Sequence, residues 1–276
     1  MSVPGDDDSE RAAPPSDPVG QGQAGQEGQA SDDQATDRAK NGRPAASKSR
    51  ALLSRRRLTA PEPEEPADGE APIGMATAEQ LDAFRELRTR LLTMATNVGL
   101  THFTTLVVPA SRGAGASFVA RNLATAFTLQ ERRVAILVDC NLRNPTQHLA
   151  LRADPGDEGL FDYLDRPHAA MERLVRPTDI PGLHLIPAGR PSPVPREYFS
   201  SQAMRLLMTG LHQAPCYVFL DSPPAKGSPD ARILSDLADF VILVVGYGQE
   251  VTDEIARAAA LFDPTKFAGV VFNERF

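Results

Sequence analysis

The stretch FTTLVVPASRGAGASFVARNLATAF, from Phe103 to Phe127, indicates how this chain folds. It begins with an apolar run rich in β-branched residues, which predicts a buried strand. Small residues follow from Ser111 to Ser117, and the segment after them has apolar residues at helical spacing. The stretch therefore predicts a strand, a tight glycine-containing turn and a helix, and a helix that begins in this way can bind an anion at its N-terminus.

The sequence on both sides of this stretch repeats the same alternation. Five more short apolar runs follow it: VAILVD, LHLIPA, YVFLD, FVILVV and FAGVVF. Helical segments lie between them, including the stretch 196–212, PDARILSDLAD and EVTDEIARAAALF, and an amphipathic helix, AEQLDAFRELRTRLLTMA, precedes the first strand. Apolar strands that alternate with helices predict an α/β fold of three layers, a mostly parallel sheet covered by helices on both faces. Ligands of such sheets bind beyond the carboxyl ends of the strands.

Composition divides the 276 residues into a tail and a domain. Residues 1–75 hold nine prolines and eight glycines, and no aromatic residue precedes Phe84, so we expect the tail to be disordered. Within it, residues 38–57 hold eight bases and no acid. This basic block is either a solvated linker or a contact for the anionic inner membrane or an acidic partner. The remaining domain, 76–276, has a net charge of -2, which predicts no nucleic-acid partner.

The subcellular location is predicted from what the sequence lacks. Its two cysteines are far apart, its N-terminus has no secretory pattern, and its most apolar run is too short to span a bilayer. We expect a cytoplasmic protein that reaches a membrane only through a partner.

The turn after the first strand has the composition of a phosphate cradle. Small residues let successive backbone N–H groups converge on an anion, and the helix N-terminus adds its partial positive charge. On these residues alone, a plain glycine-rich turn is the alternative. The residues expected to form the site are Arg112, Gly113, Ala114, Gly115, Ala116, Ser117 and Phe118.

Two carboxylates end neighbouring apolar runs. Asp139 and Asp221 each follow four or more apolar residues, where a charge is costly unless it is paired or faces a cation. With the hydroxyl of Ser117, they would hold Mg²⁺ beside a bound phosphate chain. The alternative is that both carboxylates cap loops or helices.

Several motifs, in order, resemble the cytoplasmic domain of the bacterial tyrosine kinases that control capsule and exopolysaccharide export, which are relatives of the P-loop partitioning ATPases. SRGAGAS at Ser111 occupies the place of the family's PGEGKS loop, and VAILVDCNLRNP at Val134 is similar to its second motif, VLLIDADLRRP. DAFRELR at Asp82 resembles the family's oligomerisation helix. The other matches are GLFDYL at Gly159, PAGRPSPVPREYFSS at Pro187, YVFLDSPP at Tyr217 and GVVFN at Gly269.

The resemblance implies a P-loop fold that binds ATP or ADP with Mg²⁺, with Asp139 and Asp221 as its catalytic carboxylates. It further implies a ring of subunits that meet through Asp82, Arg85 and Arg88, although pairing within the helix also explains that spacing. The implied partner is a membrane-bound polysaccharide co-polymerase, a regulator of chain length. Asn273 corresponds to a position that contacts the base in related ATPases, or it caps its strand.

The sequence departs from the family's motifs at positions that the family uses to bind phosphate and to catalyse transfer. Ala116 replaces the lysine that holds the β- and γ-phosphates, Ala114 replaces an acid, and Asn141 replaces the second acid of the DAD element. The family's C-terminal tyrosine cluster is also missing before Phe276. The sequence therefore predicts a regulatory or scaffolding pseudokinase whose binding of nucleotide and Mg²⁺ is weakened or lost.

Two alternatives stay open. One is an active tyrosine kinase or ATPase in which Arg112 replaces the lysine. The other is a positioning protein similar to ParA and MinD, tethered through residues 38–57.

Overall fold

A computed structural model describes residues 75–130, 133–153, 158–166, 173–190, 197–227 and 229–274. The predicted tail and its basic block lie outside these residues, apart from Met75. The strands are β1 (Thr104–Pro109), β2 (Ala135–Asp139), β3 (Arg176–Pro177), β4 (Leu183–Ile186), β5 (Tyr217–Asp221), β6 (Phe240–Gly246) and β7 (Phe267–Asn273). The helices are α1 (Ala78–Asn97), α2 (Ala116–Thr128), α3 (Gln147–Ala150), α4 (Leu160–Asp165), α5 (Gln202–His212), α6 (Asp230–Asp236) and α7 (Thr252–Ala259), with a 3-10 turn at Tyr198–Ser200.

The strands form one sheet in the order β3-β4-β2-β5-β1-β6-β7. All neighbours are parallel except β3, which runs antiparallel to β4 at the edge. The carboxyl ends of β2, β5 and β1 therefore lie side by side in the middle of the sheet. The parallel α/β fold predicted from the sequence is confirmed, whereas the two-residue β3 is too short for any pattern in the sequence to indicate it.

Alternate residues of the central strands face two separate apolar layers. On β1, Leu106 and Val108 pack with α4, α5 and α6, whereas Val107 packs with α1 and α2. The sheet is thus covered on both faces, which explains why its strands are apolar at successive positions.

Local signals set where the helices begin. Thr77 caps α1 by a reciprocal pair of hydrogen bonds with Gln80, and the Ser201 hydroxyl accepts from the Met204 N–H at 3.2 Å at the start of α5. Helix α2 begins differently. Its N-cap is Gly115, in the left-handed conformation at φ 86°, and no side-chain cap bonds its first turn.

Candidate functional site

The turn between β1 and α2 forms an open cradle. Gly113 and Gly115 both adopt positive φ, at 89° and 86°, conformations that glycine takes without strain. Because Gly115 offers no side chain, the N–H groups that begin α2 are left for another acceptor. This is the backbone arrangement that binds phosphate in other proteins.

Two hydrogen bonds connect the cradle to the segments at the carboxyl ends of β6 and β7. The side-chain amide of Asn273, at the end of β7, donates to the Ala114 carbonyl at 3.1 Å. The Ser111 hydroxyl donates to the carboxylate of Glu250 in the segment after β6. Asn273 therefore lies against the loop itself, as a structural clamp.

A cavity of about 650 Å³ opens beside the cradle. Its walls come from the turn after β1 and from the segments that follow β2 and β5, so it lies where the sheet topology predicted a ligand site. Three cations line it, Arg112, Arg143 and Lys226, of which Lys226 also pairs with Glu254 at 3.3 Å. The cavity thus carries a positive rim that suits an anionic ligand.

Asp139, the last residue of β2, is fully buried and is not among the residues that line the cavity. One carboxylate oxygen accepts from the Asn141 N–H at 3.1 Å, and the other accepts from the N–H groups of Thr146 and Gln147, each at 3.2 Å. Burial, with the nearby Asp221 carboxylate second, raises the pKa of Asp139 to about 8. Both oxygens of Asp139 are thus used to organise the loop after β2, and they fit a metal ion poorly.

Asp221 has a different environment, although it lies opposite Asp139 in the β2–β5 register. Burial raises the pKa of Asp221 to about 6, while hydrogen bonds from Gln147 and Ser117 lower it. One oxygen accepts from the Gln147 side-chain amide at 2.7 Å, and among the described residues the other oxygen has no hydrogen-bond partner. Of the two predicted carboxylate ligands, Asp221 is thus the one that keeps an oxygen without a hydrogen bond among the described residues.

Two further buried residues, Gln147 and Arg121, contact the Ser117 carbonyl, and sequence reasoning missed both. The Gln147 amide donates to Asp221 and, at 3.0 Å, to the Ser117 carbonyl, while its own carbonyl accepts from Arg121 at 3.1 Å. A signal for Arg121 was present in the sequence, since it is the one charged residue of α2 and stands four positions after Ser117, on the same face.

Of the remaining predicted residues, Arg112 and Ala116 line the cavity, whereas Ala114 and Phe118 do not. Ala116 heads α2 with its methyl group buried, and Ala114 is also buried, whereas Arg112 is exposed on the rim. The ring of Phe118 packs edge-on against Phe84 of α1, with centroids 6.0 Å apart, and it is absent from the cavity lining.

The residues predicted to meet a neighbouring subunit all make contacts within the chain. Asp82 and Arg85 form an exposed ion pair at 2.9 Å. Arg88 instead turns inward, where its guanidinium donates to the Ala126 carbonyl near the end of α2 at 2.6 Å. Arg88 therefore caps a helix of its own chain.

Two features are absent from the described ranges. No helix in those ranges is long and apolar enough to cross a membrane. Nor do three or more histidine, cysteine, aspartate or glutamate side chains gather there in a way that would hold a metal ion.

Known proteins share both the sequence and the fold. The chain is 32% identical over 170 residues to the tyrosine-protein kinase YwqD of Bacillus subtilis, covering 61% of this chain and 70% of that protein. It is 29% identical over 209 residues to the tyrosine-protein kinase Wzc of Salmonella typhimurium, but spans only 28% of that protein's length. No family model matches the chain.

Solved structures agree with the relatives. The BceF tyrosine kinase domain superposes with a TM-score of 0.61 at 27% identity, over 70% of this chain and 77% of that one. The septum site-determining protein MinD of Pyrococcus horikoshii, solved with Mg-ADP, superposes with a TM-score of 0.50 at 19% identity, over 63% of this chain and 69% of that one, and shows the shared fold. By its identity to YwqD and the share of that protein it covers, this chain belongs to the family of bacterial tyrosine kinases, whose P-loop fold MinD shares.

Proposed function

We propose that this protein is a catalytically weak member of its family, a nucleotide-holding scaffold that regulates exopolysaccharide export. One observation carries the proposal, namely that Ala116 stands at the head of α2 with its methyl group buried. The cradle keeps its two left-handed glycines and its uncapped helix, so it retains the backbone that binds phosphate. It lacks the ammonium group that would stabilise charge on a phosphoryl group in transfer.

Binding and turnover depend differently on that lost charge. One charge-assisted contact contributes about 1.5–3 kcal/mol, so its loss weakens binding roughly ten- to 150-fold. The cations on the rim, Arg112, Arg143 and Lys226, offset part of this loss because they line the same cavity. Transfer needs a charge placed at the reacting group, and exposed side chains on flexible stems supply that poorly.

Magnesium would enter beside the phosphates. Ser117 and the free oxygen of Asp221 would hold it only weakly, and when bound it would screen the charge of the phosphate chain. The chain's own residues do the rest, since the amides of α2 orient the phosphates and Asp139 keeps the loop after β2 in place.

The test compares wild type with Ala116→Lys and with Ala116→Met, which has similar length and no charge. We expect Ala116→Lys to bind ATP roughly ten- to 150-fold more tightly, measured by calorimetry with and without Mg²⁺, whereas Ala116→Met should match wild type. Equal affinity of wild type and Ala116→Lys would contradict the proposal. Tyrosine phosphorylation by purified wild type, with or without a co-polymerase tail, would contradict it independently.

The proposed partner is a membrane-bound polysaccharide co-polymerase, with the protein held at the inner membrane through that contact. The support is membership of a family that includes Wzc and the putative kinase EpsB of Ralstonia solanacearum. We expect the full chain to co-purify with the cytoplasmic tail of a polysaccharide co-polymerase from the same organism. Failure to do so at micromolar concentrations would remove this part of the proposal.

A second candidate function keeps the enzyme active, with Arg112 in place of the missing lysine. The position of Arg112 on the cavity wall favours it. In that case Arg112→Ala should abolish both nucleotide binding and turnover, whereas Arg205→Ala, an exposed arginine on α5, should change neither. Unchanged binding by Arg112→Ala would eliminate this candidate.

A third candidate, a positioning protein, has support from fold alone. Deleting residues 38–57 should then delocalise a fluorescent fusion without changing its thermal stability. A fusion that keeps its position after this deletion would exclude the tether.

A further inference from the structure

A guanidinium lies buried directly beneath the phosphate cradle. Arg121, in the second turn of α2, is 5% exposed, and its Nη1 lies 3.1 Å from the Gln147 side-chain oxygen and 3.5 Å from the Ser117 carbonyl. Burying a charge of this size costs several kcal/mol unless a nearby anion compensates it. The Asp221 carboxylate is close enough to interact electrostatically with Arg121, and it opposes the lowering of the Arg121 pKa that burial causes.

Gln147 connects the two charges. Its carbonyl oxygen accepts from Arg121, and its amide nitrogen donates to Asp221 at 2.7 Å. The three side chains are each at most 5% exposed. An amide that is hydrogen-bonded between a cation and an anion is polarised by both. The hydrogen bonds that Gln147 makes to Arg121 and to Asp221 therefore strengthen each other.

We infer that Arg121, acting through Gln147, is a positioning residue that balances the charge of Asp221 from inside the fold, so that the cavity takes phosphate ligands with little help from a divalent cation. The inference rests on the proposed function, in which the cavity binds nucleotide. It follows from two effects of one fixed charge. The guanidinium repels a dication that approaches Asp221, and it adds to the positive end of α2 where a phosphate would bind.

Metal binding without nucleotide gives the direct test. Mn²⁺, a spectroscopic substitute for Mg²⁺, is titrated into the full chain, and free Mn²⁺ is followed by electron paramagnetic resonance. We expect Arg121→Gln to bind Mn²⁺ at least about tenfold more tightly than wild type, because a unit charge that repels a nearby dication in a buried site has an effect of at least that order. Arg121→Lys, which keeps the charge, should bind as weakly as wild type.

The matched control is Arg176→Gln, which removes a half-buried guanidinium from β3 at the edge of the sheet. It should leave Mn²⁺ affinity unchanged. Equal affinity in wild type and Arg121→Gln would overturn the inference. If Arg121→Gln does not fold alone, millimolar Mn²⁺ should restore its cooperative melting, and failure to restore it would also overturn the inference.

A second measurement separates this inference from the proposed function. The affinity for ADP is compared in Mg²⁺ and in EDTA, where wild type should lose less than about tenfold without metal and Arg121→Gln should lose more. A larger loss in wild type than in Arg121→Gln would overturn the inference. If no variant binds ADP, the proposed function fails, while the Mn²⁺ titration still decides the charge of Arg121.

Discussion

Substituting Gly115 by alanine should open the phosphate cradle. At φ 86° a side chain is strained whatever space surrounds it, and a Cβ built on Gly115 would lie 2.1 Å from the Asn273 amide nitrogen and 3.2 Å from its Cγ. Since real Cβ atoms do not approach so closely, Asn273 must move and lose its 3.1 Å hydrogen bond to the Ala114 carbonyl.

The cost has two parts. The left-handed backbone contributes about 1–2 kcal/mol for alanine. Loss of the Asn273 hydrogen bond, in a half-buried position, contributes about 0.5–1.5 kcal/mol more. Together these lower the free energy of unfolding by about 1.5–3.5 kcal/mol, which for a domain of this size corresponds to a fall in Tm of about 3–14 °C.

The assay is urea denaturation of Gly115→Ala beside Gly113→Ala. Gly113 has nearly the same φ, 89°, but no atom lies within 4 Å of the Cβ that alanine would add, so it should show only the backbone part. Adding Asn273→Ala to Gly115→Ala removes the atom that clashes, and the double variant should be no less stable than Gly115→Ala alone. Equal losses at Gly113 and Gly115, or additive losses in the double variant, would refute the reasoning.

Three further outcomes are expected. Gln147→Leu removes the donor to Asp221 and should lower the free energy of unfolding by about 2–4 kcal/mol. The control Gln80→Leu, at an exposed helix cap, should lower it by at most about 1 kcal/mol. Urea denaturation of both variants measures the difference. In the folded protein the pKa values of Asp139 (about 8) and Asp221 (about 6) exceed the unfolded value near 3.9. The contribution of these two carboxyls to the free energy of unfolding is therefore full below about pH 4 and is lost as pH rises through 8. Asp139→Asn should flatten the dependence of the free energy of unfolding on pH, and an unchanged slope would contradict this expectation. Arg88→Met should lower the free energy of unfolding by about 1–2 kcal/mol through the loss of its hydrogen bond to the Ala126 carbonyl, while Arg85→Ala should change it by less than about 0.5 kcal/mol. A lower assembly mass for Arg85→Ala, measured by light scattering, would support the predicted ring.

The fold was predictable because its signal is repeated along the chain. Each central strand is apolar at successive positions, and a parallel sheet covered on both faces is the arrangement that such strands satisfy. The same topology places Asp139 opposite Asp221 and brings the turn from Ser111 to Ser117 to the same edge of the sheet, as the order of these residues along the chain predicts.

The division of roles among those residues was not predictable. Asp139 and Asp221 follow similar apolar runs, and only the three-dimensional contacts distinguish them. Backbone N–H groups of the following loop occupy both oxygens of Asp139, while one oxygen of Asp221 stays free among the described residues. Gln147 was not predicted because a single polar residue in a short helix produces no periodic pattern in the sequence. Its role comes from hydrogen bonds to Ser117 and Asp221, which are 30 and 74 positions away along the chain.

The same limit applies to side chains on regular helices. Helical spacing places Arg85 and Arg88 on one face of α1, which agrees with either an interface or a local pair. It does not reveal that the end of α2 lies within reach of Arg88. Phe118 likewise follows the cradle in sequence, but its ring packs against Phe84 of α1.

The hydrogen bond between Asn273 and Ala114 also constrains when the site can form. It joins residues that are 159 positions apart, and Asn273 reaches the cradle only after β7 has paired with β6. During synthesis, β1 and α2 leave the ribosome long before β7, so a nascent chain carries the cradle without its clamp. Contacts of such long range form late in folding. A partly made copy would therefore lack the contact that holds the cradle, and this hydrogen bond would form only in a completed domain.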